Sequence, residues 1–461
     1  MIRLFKHYVP HAVILVGVLD LLLLYLAGDL SWRLRADQIG MDPGAIGDRF
    51  WQLAGHAAVM LSAMIAVGVY GPEALRSMRY ATARLLVAVS FGIIGLAFLD
   101  FIIGGGNFWR STLAYAMVGS VFALVFNRLL VGAAVGTEAF RRRVLVLGAG
   151  KRAERLRELS LRPESGFRIS GFVAMDGTQQ VVPNAVARDS IENLTGHVEG
   201  LGISEVVLAL EERRNALPLA DLLRIKTTGV HVNDFSSFIE RETGRVDLDT
   251  VNPSWLIFSD GFSSGQMVSR ALKRLFDIVV SLAVLLLTAP AILVFALLVC
   301  IDSQGPAFYR QRRVGLFGEP FDVIKLRSMR TDAEVNGAQW AAKDDPRVTR
   351  IGNFIRKTRI DELPQLWTVL KGEMSFVGPR PERPEFVADL VQYLPYYAER
   401  HMVKPGITGW AQINYPYGAS IEDSRQKLEY DLYYAKNYTP FLDLLILLQT
   451  IRVVIWPEGA R

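Results

Sequence analysis

Cysteine and histidine are scarce in this chain. Its 461 residues include one cysteine, Cys300, and six histidines. A single cysteine excludes a disulfide framework and a metal site built from cysteines. Cys300 lies inside an apolar run. His401 is the only histidine near the charged motifs described below, and we expect it to be structural.

Charged residues are also few. They make up 21% of the chain, against 51% hydrophobic residues, and the mean hydropathy is +0.24. The sequence is too apolar for a purely soluble enzyme and too charged for a protein confined to a membrane, and its length predicts several domains. The net charge of +5 favours anionic lipid headgroups or phosphorylated substrates as partners. Nucleic acid is not an expected partner, because the sequence has no recognition motif or dense basic tract.

Long apolar runs fill the first third of the chain: 11–28, 53–70, 85–103 and 113–135. Each is about 20 residues long, enough to cross the hydrocarbon core of a bilayer. No cleavage site of small residues follows the first run, so we interpret it as a retained membrane helix. The flanking arginines favour one side and place both ends of the group in the cytoplasm. The sequence predicts a four-helix transmembrane domain over residues 1–140.

The character of the chain changes after three arginines at 141–143. Residues 144–153 (VLVLGAGKRA) are typical of a buried strand that leads through a glycine turn into a helix, the start of a Rossmann-like unit. The turn could bind a dinucleotide pyrophosphate or could form the fold without a ligand. We favour the second, because no acidic ribose partner follows at the usual distance.

Later apolar runs at 169–174, 206–210 and 229–232 predict further strands of a small parallel sheet. The predicted Rossmann-like accessory domain, with its linker, covers residues 141–262. We expect it to have no part in chemistry, so a fragment that begins near Ser264 should keep any activity of the C-terminal region.

The longest apolar run, 278–301, contains Pro290. Basic residues flank it on both sides: Lys273 and Arg274 before it, and Arg310, Arg312 and Arg313 after it. A bilayer crossing would put one basic group on the wrong face, so we expect a re-entrant helix that breaks at Pro290. A spanning helix with a tolerated proline is the alternative. Another run, 441–456, predicts an interfacial helix.

Two adjacent carboxylates, Asp361 and Glu362, lie within residues 356–366 (RKTRIDELPQL). The pattern predicts a short helix that begins beside Asp361 and ends at Gly372. An ordinary capped helix could explain the acidic pair alone. It does not explain the basic residues that collect along this part of the chain: Lys325, Arg327, Arg356, Arg359 and Arg380. Such a set is expected where phosphates and a divalent cation are bound together.

Some of these residues have a local context. Lys325 and Arg327 are separated by one residue on a predicted strand, so both should face one side. Arg380 lies between two prolines, the second of them Pro381, and its stiff backbone suits a phosphate or nucleotide contact.

Other residues have two interpretations. Arg356 and Arg359 could bind substrate phosphate, or they could bind a lipid headgroup or form a salt bridge. Asp431 could be a second acidic contact or could simply pair with Lys427. Glu362 can share the site with Asp361 only from the first turn of the helix, where it would orient a metal or a sugar.

From residue 273 to the C-terminus, the chain resembles the polyprenyl-phosphate hexose-1-phosphate transferases of the monotopic phosphoglycosyl transferase superfamily. The resemblance rests on the apolar run with its proline and on these motifs: 325–329 (KLRSM), 356–366, 378–382 (GPRPE), 404–410 (KPGITGW) and 430–431 (YD). The whole chain is similar to the large exopolysaccharide-type members, which have four N-terminal helices and a Rossmann-like middle domain. One departure is Ala289, where the family often has serine before the proline.

The resemblance implies a C-terminal α/β catalytic domain over residues 263–461, with the re-entrant helix at 275–301. It implies a bacterial inner-membrane protein whose catalytic domain lies on the cytoplasmic face and transfers a sugar 1-phosphate from a UDP-sugar to undecaprenyl phosphate. UMP would be released in the initiating step of exopolysaccharide assembly. A homodimer is the default expectation for the N-terminal appendage.

The resemblance also implies roles for the residues. Asp361 would be the nucleophile, would carry the phosphosugar as an ester, and would bind Mg²⁺ together with the diphosphate; Glu362 would assist it. The remaining residues would bind phosphate or nucleotide: Lys325, Arg327, Arg356, Arg359, Arg380, Pro381 and Asp431.

Two other functions remain open. A glycosyl transferase would move the sugar without its phosphate, but such enzymes usually carry a metal-binding Asp-x-Asp, and Asp247-Leu-Asp249 lies in the linker rather than among the basic residues. A transporter or assembly scaffold would use the N-terminal helices as a pore, but these helices carry few charged residues.

Overall fold

The computed structural model describes residues 2–4, 7–9, 11–70, 78–103, 110–135, 141–162, 165–175, 180–211, 217–251, 267–333, 345–416, 418 and 420–455. The chain divides into two compact units, Met1–Thr243 and Gly244–Arg461. Residues 244–251, which the sequence places in the accessory domain, belong to the second unit. The predicted domain limits otherwise remain a prediction, and residues 252–266 of the linker lie outside the described part of the chain.

Helices occupy all of the apolar runs at the N-terminus, behind a short hairpin of β1 (Ile2–Leu4) and β2 (His7–Val9). They are α1 (His11–Gln38), α2 (Phe50–Val67), α3 (Met78–Ile103) and α4 (Arg110–Val135). Helix α1 packs on α2 and α4, and α3 packs on the same two helices. Each is long and apolar enough to cross a membrane, which indicates a membrane-associated protein. That the four helices form one transmembrane domain remains a prediction.

A buried ion pair joins α1 to α4. Asp20 is fully buried and accepts hydrogen bonds from Arg128 (2.7 Å), Asn127 (2.7 Å) and Tyr70 (2.8 Å). Arg128 neutralises the charge of Asp20, and the three donors provide hydrogen bonds to its carboxylate. This ion pair can therefore remain inside an apolar helix bundle.

The middle of the chain forms a parallel sheet of β3 (Arg142–Leu147), β4 (Phe167–Ala174), β5 (Val186–Ala187), β6 (Glu205–Leu208) and β7 (His231–Asp234). The strand order is β5-β4-β3-β6-β7. Alternate residues of β3 point to opposite faces, so Val144 and Val146 enter one core while Leu145 and Leu147 enter the other. The flanking helices are α5 (Lys151–Leu161), α6 (Leu194–Gly200), α7 (Leu219–Thr227) and α8 (Phe235–Thr243). The predicted parallel-sheet domain is confirmed.

The first helix of the second unit is the long α9 (Met267–Asp302), and an antiparallel hairpin of β8 (Phe308–Val314) and β9 (Pro320–Leu326) follows it. Then follow α10 (Arg350–Lys357), α11 (Gln365–Lys371), β10 (Ser375–Val377) and α12 (Pro384–Tyr393). The chain continues with β11 (Gly406–Thr408), α13 (Trp410–Asn414), α14 (Ile421–Asn437) and α15 (Pro440–Ile455). Strands β10 and β11 pair in parallel.

Helix α9 is helical at every residue, including Pro290, so the predicted interruption of the helix at this proline is absent. A proline inside a long helix removes one backbone hydrogen bond without having to end the helix. Leu286, Leu287, Leu293 and Leu297 are 66–68% exposed, as expected for a helix that contacts lipid. The re-entrant path of α9 remains a prediction.

Both ends of α9 form hydrogen bonds with other parts of the second unit. Near its start, Lys273 donates to Asp443 Oδ2 of α15 (2.6 Å). Near its end, the guanidinium of Arg327 donates to the carbonyl oxygens of Ser303 (2.6 Å) and Gln304 (2.9 Å). Helix α15 packs Leu442 and Ile446 into the same core as the N-terminal half of α9. The predicted interfacial helix at 441–456 is therefore a helix over its described residues, and residue 456 lies outside them.

Candidate active site

Asp361 and Glu362 lie on a separate tight turn, Ile360–Glu362, between α10 and α11. Arg359, just before the turn, adopts a left-handed conformation with φ of 59°, which reverses the chain after α10. Helix α11 begins at Gln365 with Pro364 as its N-cap, two residues later than predicted, so Asp361 lies three residues before the cap, on the turn that follows Arg359. The predicted end at Gly372 is confirmed by its left-handed φ of 91°.

The carboxyl group of Asp361 is buried and has an unused acceptor. The residue is 8% exposed, and Oδ1 accepts no hydrogen bond from any residue that the structure describes. Burial, and after it the charge of Glu362, raise the pKa of Asp361 to about 6. A buried oxygen without a partner is uncommon and calls for a ligand or a chemical role.

Glu362, in contrast to Asp361, is paired with several cations. Its Oε1 lies 2.8 Å from Arg380 Nη2, 3.3 Å from Lys325 Nζ and 3.8 Å from Arg359 Nη1. Burial raises the pKa of Glu362, but the charges of Arg380, Lys325 and Arg359 outweigh it and hold this pKa well below its ordinary value. The structure therefore brings together Asp361, Glu362 and three of the predicted basic residues, with Glu362 as the anchor of the cations.

A small, open pocket lies beside this cluster. It is lined by Arg313, Val323, Lys325, Glu362, Gln365, Arg380, Pro381, Gly406 and Ile407. Arg313 and Gln365 were missed in the sequence. The β8–β9 register pairs Arg313 with Phe321 and Tyr309 with Lys325, which puts Arg313 and Lys325 on one face of the hairpin.

Two glycine motifs hold the loop that carries Arg380. The backbone of Gly378 donates to Thr408 O (2.8 Å). A Cβ at Gly406 would lie 2.0 Å from the backbone nitrogen of Gly378, and a Cβ at Gly378 would lie 2.3 Å from Lys404 O. Residues 378–382 and 404–410 are thus two sides of one close backbone contact that only glycine permits.

The other predicted residues lie outside the cluster. The guanidinium of Arg327 binds the end of α9, as described above. Arg356 is half-buried in the last turn of α10 and forms no ion pair with any described residue. Asp431 is buried and accepts a hydrogen bond from Arg400 (2.7 Å), whose guanidinium also donates to Arg380 O (2.9 Å). Arg400, also missed in the sequence, thus links Asp431 to the site, while substrate binding by Arg327, Arg356 and Asp431 remains a prediction.

The donor set at Asp361 fits Mg²⁺. The unpartnered Oδ1 is a hard oxygen ligand, and Mg²⁺ is commonly bound by one or two carboxylates together with substrate phosphates. In the described part of the chain, no group of three or more His, Cys, Asp or Glu side chains could hold a metal ion. A cation at Asp361 would therefore take its other ligands from water or from substrate phosphates, and the magnesium prediction remains a prediction.

Residues 268–457, which contain the entire cluster, match the family model described as bacterial sugar transferase. A putative undecaprenyl-phosphate N-acetylgalactosaminyl 1-phosphate transferase from Bacillus subtilis is 56% identical over 130 residues, which cover 28% of this chain and 73% of the relative. The chain belongs to the bacterial sugar transferase family. The resemblance found in the sequence is confirmed.

Two further relatives of this chain are longer than the stretch that matches. The UDP-N-acetylgalactosamine-undecaprenyl-phosphate N-acetylgalactosaminephosphotransferase of Aeromonas hydrophila is 41% identical over 240 residues, which cover 52% of this chain and 56% of the relative. The UDP-glucose:undecaprenyl-phosphate glucose-1-phosphate transferase of Escherichia coli is 43% identical over 186 residues, 40% of each chain. The chain therefore spans about half the length of these two relatives.

Residues 65–226 match a second family model, described as a CoA-binding domain. A pyrophosphate would approach the glycine turn at the start of α5. Glu211 already lies there: its Oε1 accepts a hydrogen bond from the backbone of Lys151 (3.0 Å) and would lie 2.7 Å from a Cβ at Gly150. Gly148, with φ of 128°, lets the turn approach Ala209 O. The residues of this turn do not fit a bound CoA pyrophosphate, which favours the ligand-free interpretation.

Proposed function

We propose that this sugar transferase moves a sugar 1-phosphate from a UDP-sugar to undecaprenyl phosphate, in the initiating step of exopolysaccharide assembly. The observation that carries the proposal is a buried carboxylate with an unused oxygen, Asp361, beside three cations gathered by Glu362. The relatives are named for undecaprenyl phosphate and for transfer of a sugar phosphate, which supports the proposed acceptor and the proposed transferred group.

The first step is an attack by a carboxylate oxygen of Asp361 on the phosphorus that carries the sugar. A bond forms between Asp361 and this phosphorus, the bond from phosphorus to the UMP oxygen breaks, and UMP leaves with the electron pair. In the second step, an oxygen of undecaprenyl phosphate attacks the same phosphorus, and Asp361 leaves as a carboxylate. Neither step removes a proton from the acceptor, whose phosphate is already ionised.

The cations next to Asp361 suit the donor diphosphate. Arg380, Lys325 and Arg359 would stabilise the charge on the phosphate oxygens as the bond to UMP breaks, and Arg313 adds a fourth charge at the pocket wall. Mg²⁺, when bound at Asp361 with the diphosphate, would supply further charge neutralisation. Glu362 holds Arg380 and Lys325 in place before the donor binds, so the site needs little rearrangement on binding.

The contacts of α9 support the re-entrant path. A spanning helix would carry its ends to opposite faces of a hydrocarbon core about 30 Å thick. Hydrogen bonds instead join the start of α9 to Asp443 and the residue after its end, Ser303, to Arg327. Both partners belong to the same unit as Asp361. We propose that both ends lie at the cytoplasmic face of the bacterial inner membrane, where the flanking basic residues favour them. We also propose that the protein is a homodimer.

The test is a product assay with undecaprenyl phosphate and a panel of four donors: UDP-N-acetylgalactosamine, UDP-N-acetylglucosamine, UDP-glucose and UDP-galactose. We expect UMP to be released with at least one donor, together with a lipid-linked diphosphate sugar. Release of UDP instead would indicate a glycosyl transferase that leaves the phosphate behind. The absence of acceptor-dependent UMP with every donor would reject the proposal for these sugars.

A further inference from the structure

Residues 244–251, which directly follow α8 in the sequence, form a strap on the second unit. The strap is bonded at its start: Gly244 O accepts from Trp410 Nε1 (2.6 Å), and Val246 N donates to Glu429 O (3.0 Å). Val246 and Leu248 are buried, with exposed fractions of 1% and 6%. The strap is thus a packed part of the unit that holds the active site, although it precedes the residues that match the sugar transferase model.

The Asp-x-Asp of the linker serves the fold of this strap. Asp247 is buried, and its carboxylate accepts hydrogen bonds from Thr250 Oγ1 (3.0 Å) and from the backbone of Asp249 (3.3 Å). Asp249 pairs with Arg425 of α14. These bonds fix a turn at the end of the strap. Both carboxylates of the motif are therefore engaged with protein groups and are not arranged as a pair of metal ligands.

A shared hydrophobic cluster and three hydrogen bonds link the strap to the active site. Val246 and Leu248 lie in one hydrophobic cluster with Tyr397. The hydroxyl oxygen of Tyr397 accepts a hydrogen bond from Arg400 Nη1 (3.2 Å). Arg400 Nη2 then donates to Arg380 O (2.9 Å), and the side chain of Arg380 reaches Glu362.

We infer that the strap is a positioning element for Arg380 and so for the donor phosphates, a role that rests on the proposed function. The backbone of Arg380 is held by proline on each side and by Arg400, whose own position depends on Tyr397 and Asp431. Loss of packing in the cluster that contains Tyr397 would move Arg400, and displacement of a substrate-binding group by about 1 Å lowers the rate strongly.

The first measurement is hydrogen exchange by mass spectrometry on the full chain in nanodiscs. The variants are Leu248→Ala, the conservative Leu248→Met, and Val391→Ala as a control at a residue of the same unit that is 47% exposed. We expect amides of residues 376–383 and 398–402 to exchange about tenfold faster in Leu248→Ala, and at the wild-type rate in Val391→Ala and nearly so in Leu248→Met. If only the strap itself exchanges faster, the inference is wrong.

The second measurement is UMP release by the same proteins. We expect kcat/KM of Leu248→Ala to fall about tenfold, mainly through a higher KM for the UDP-sugar, with recovery in Leu248→Met. An unchanged KM with a lowered melting temperature would show a purely structural role and overturn the inference. If amides at 376–383 exchange faster in Leu248→Ala but the wild type releases no UMP, the link from the strap to Arg380 is supported and the proposed function is rejected.

Discussion

Asp361 and Glu362 are neighbours in the sequence, yet their surroundings give them different chemistry. Three cations hold the pKa of Glu362 low, whereas burial and the charge of Glu362 raise the pKa of Asp361 to about 6. Two carboxylates with pKa values pushed apart are typical of a site in which one group reacts and the other organises. The free Oδ1 of Asp361 is the observation from which we propose it as the reacting group.

Replacement of Asp361 by Asn should abolish UMP release, with a loss of at least about three decades in rate, because an amide of the same shape cannot attack phosphorus. The assay is UMP release by purified full-length protein. Asp389→Asn, at an exposed position of α12, is the matched control and should keep the wild-type rate. Comparable rates of UMP release for Asp361→Asn and Asp389→Asn would show that Asp361 is not the nucleophile.

The same substitution should raise thermal stability at neutral pH. The folded chain holds the proton on Asp361 more tightly than the unfolded chain, so the stability due to the protonated form is present below pH 3.8 and is lost as pH rises through about 6. Asn carries no charge, so Asp361→Asn should melt at a higher temperature than wild type at pH 8 without Mg²⁺. This difference should shrink as the pH approaches 4.

Activity should depend on pH through the same group. Because the attacking form is the carboxylate, kcat/KM should fall about tenfold per pH unit below a midpoint near 6 and should level off above it. The charge of Glu362 contributes to this raised pKa, so Glu362→Gln should move the midpoint to lower pH while it weakens the binding of Arg380. A midpoint that stays in place in Glu362→Gln would mean that another group controls the rate.

At the scale of elements, the path of α9 can be tested by cysteine labelling. In a Cys300→Ser background, Ala271→Cys and Gln304→Cys place exposed thiols near the two ends of α9. Both should react with a membrane-impermeant reagent only after the cytoplasmic face is made accessible. Asp42→Cys, in the exposed loop between α1 and α2, should be labelled from outside in intact cells. If one end of α9 is labelled from outside and the other is not, α9 spans the membrane.

Periodicity predicted the elements well where one face of a strand or helix is buried. The strands of the parallel sheet, the N-terminal helices and the end of α11 at Gly372 follow from apolar spacing and from a glycine that can adopt a left-handed conformation. The turn at Asp361 could not be predicted in this way. Its left-handed residue is Arg359, and nothing local in an arginine indicates such a conformation.

Side-chain partners were harder to predict than elements. Alternation placed Arg327 on the same side as Lys325, but β9 ends at Leu326, so the alternation no longer applies at Arg327. The link from Arg400 to Asp431 joins residues far apart in the chain, and only the fold brings them together. The sequence thus predicted the acidic pair and three of its cations, while Arg313, Gln365 and Arg400 came from the structure.

At the scale of the whole molecule, the boundary between the two units changes the design of a minimal enzyme. A fragment that begins near Ser264 lacks the strap, whereas one that begins at Gly244 keeps it. The strap revises the expectation, made from the sequence, that a fragment beginning near Ser264 keeps its activity. We expect the Gly244 fragment to retain most of the UMP release of the full chain and the Ser264 fragment to lose at least about tenfold in kcat/KM. Both fragments are compared in nanodiscs after their folding is checked by thermal melting. Equal activity of two folded fragments would contradict the role of the strap.

The central claim is that the sugar phosphate passes through a covalent bond to Asp361, and trapping of this species tests it most directly. The full-length protein is mixed with its UDP-sugar without undecaprenyl phosphate, quenched, and digested for mass spectrometry. We predict a burst of about one UMP per active site, a sugar-phosphate adduct on the peptide that contains Asp361, and loss of this adduct on addition of undecaprenyl phosphate. UMP release that strictly requires the acceptor, with no adduct on that peptide, would contradict the account.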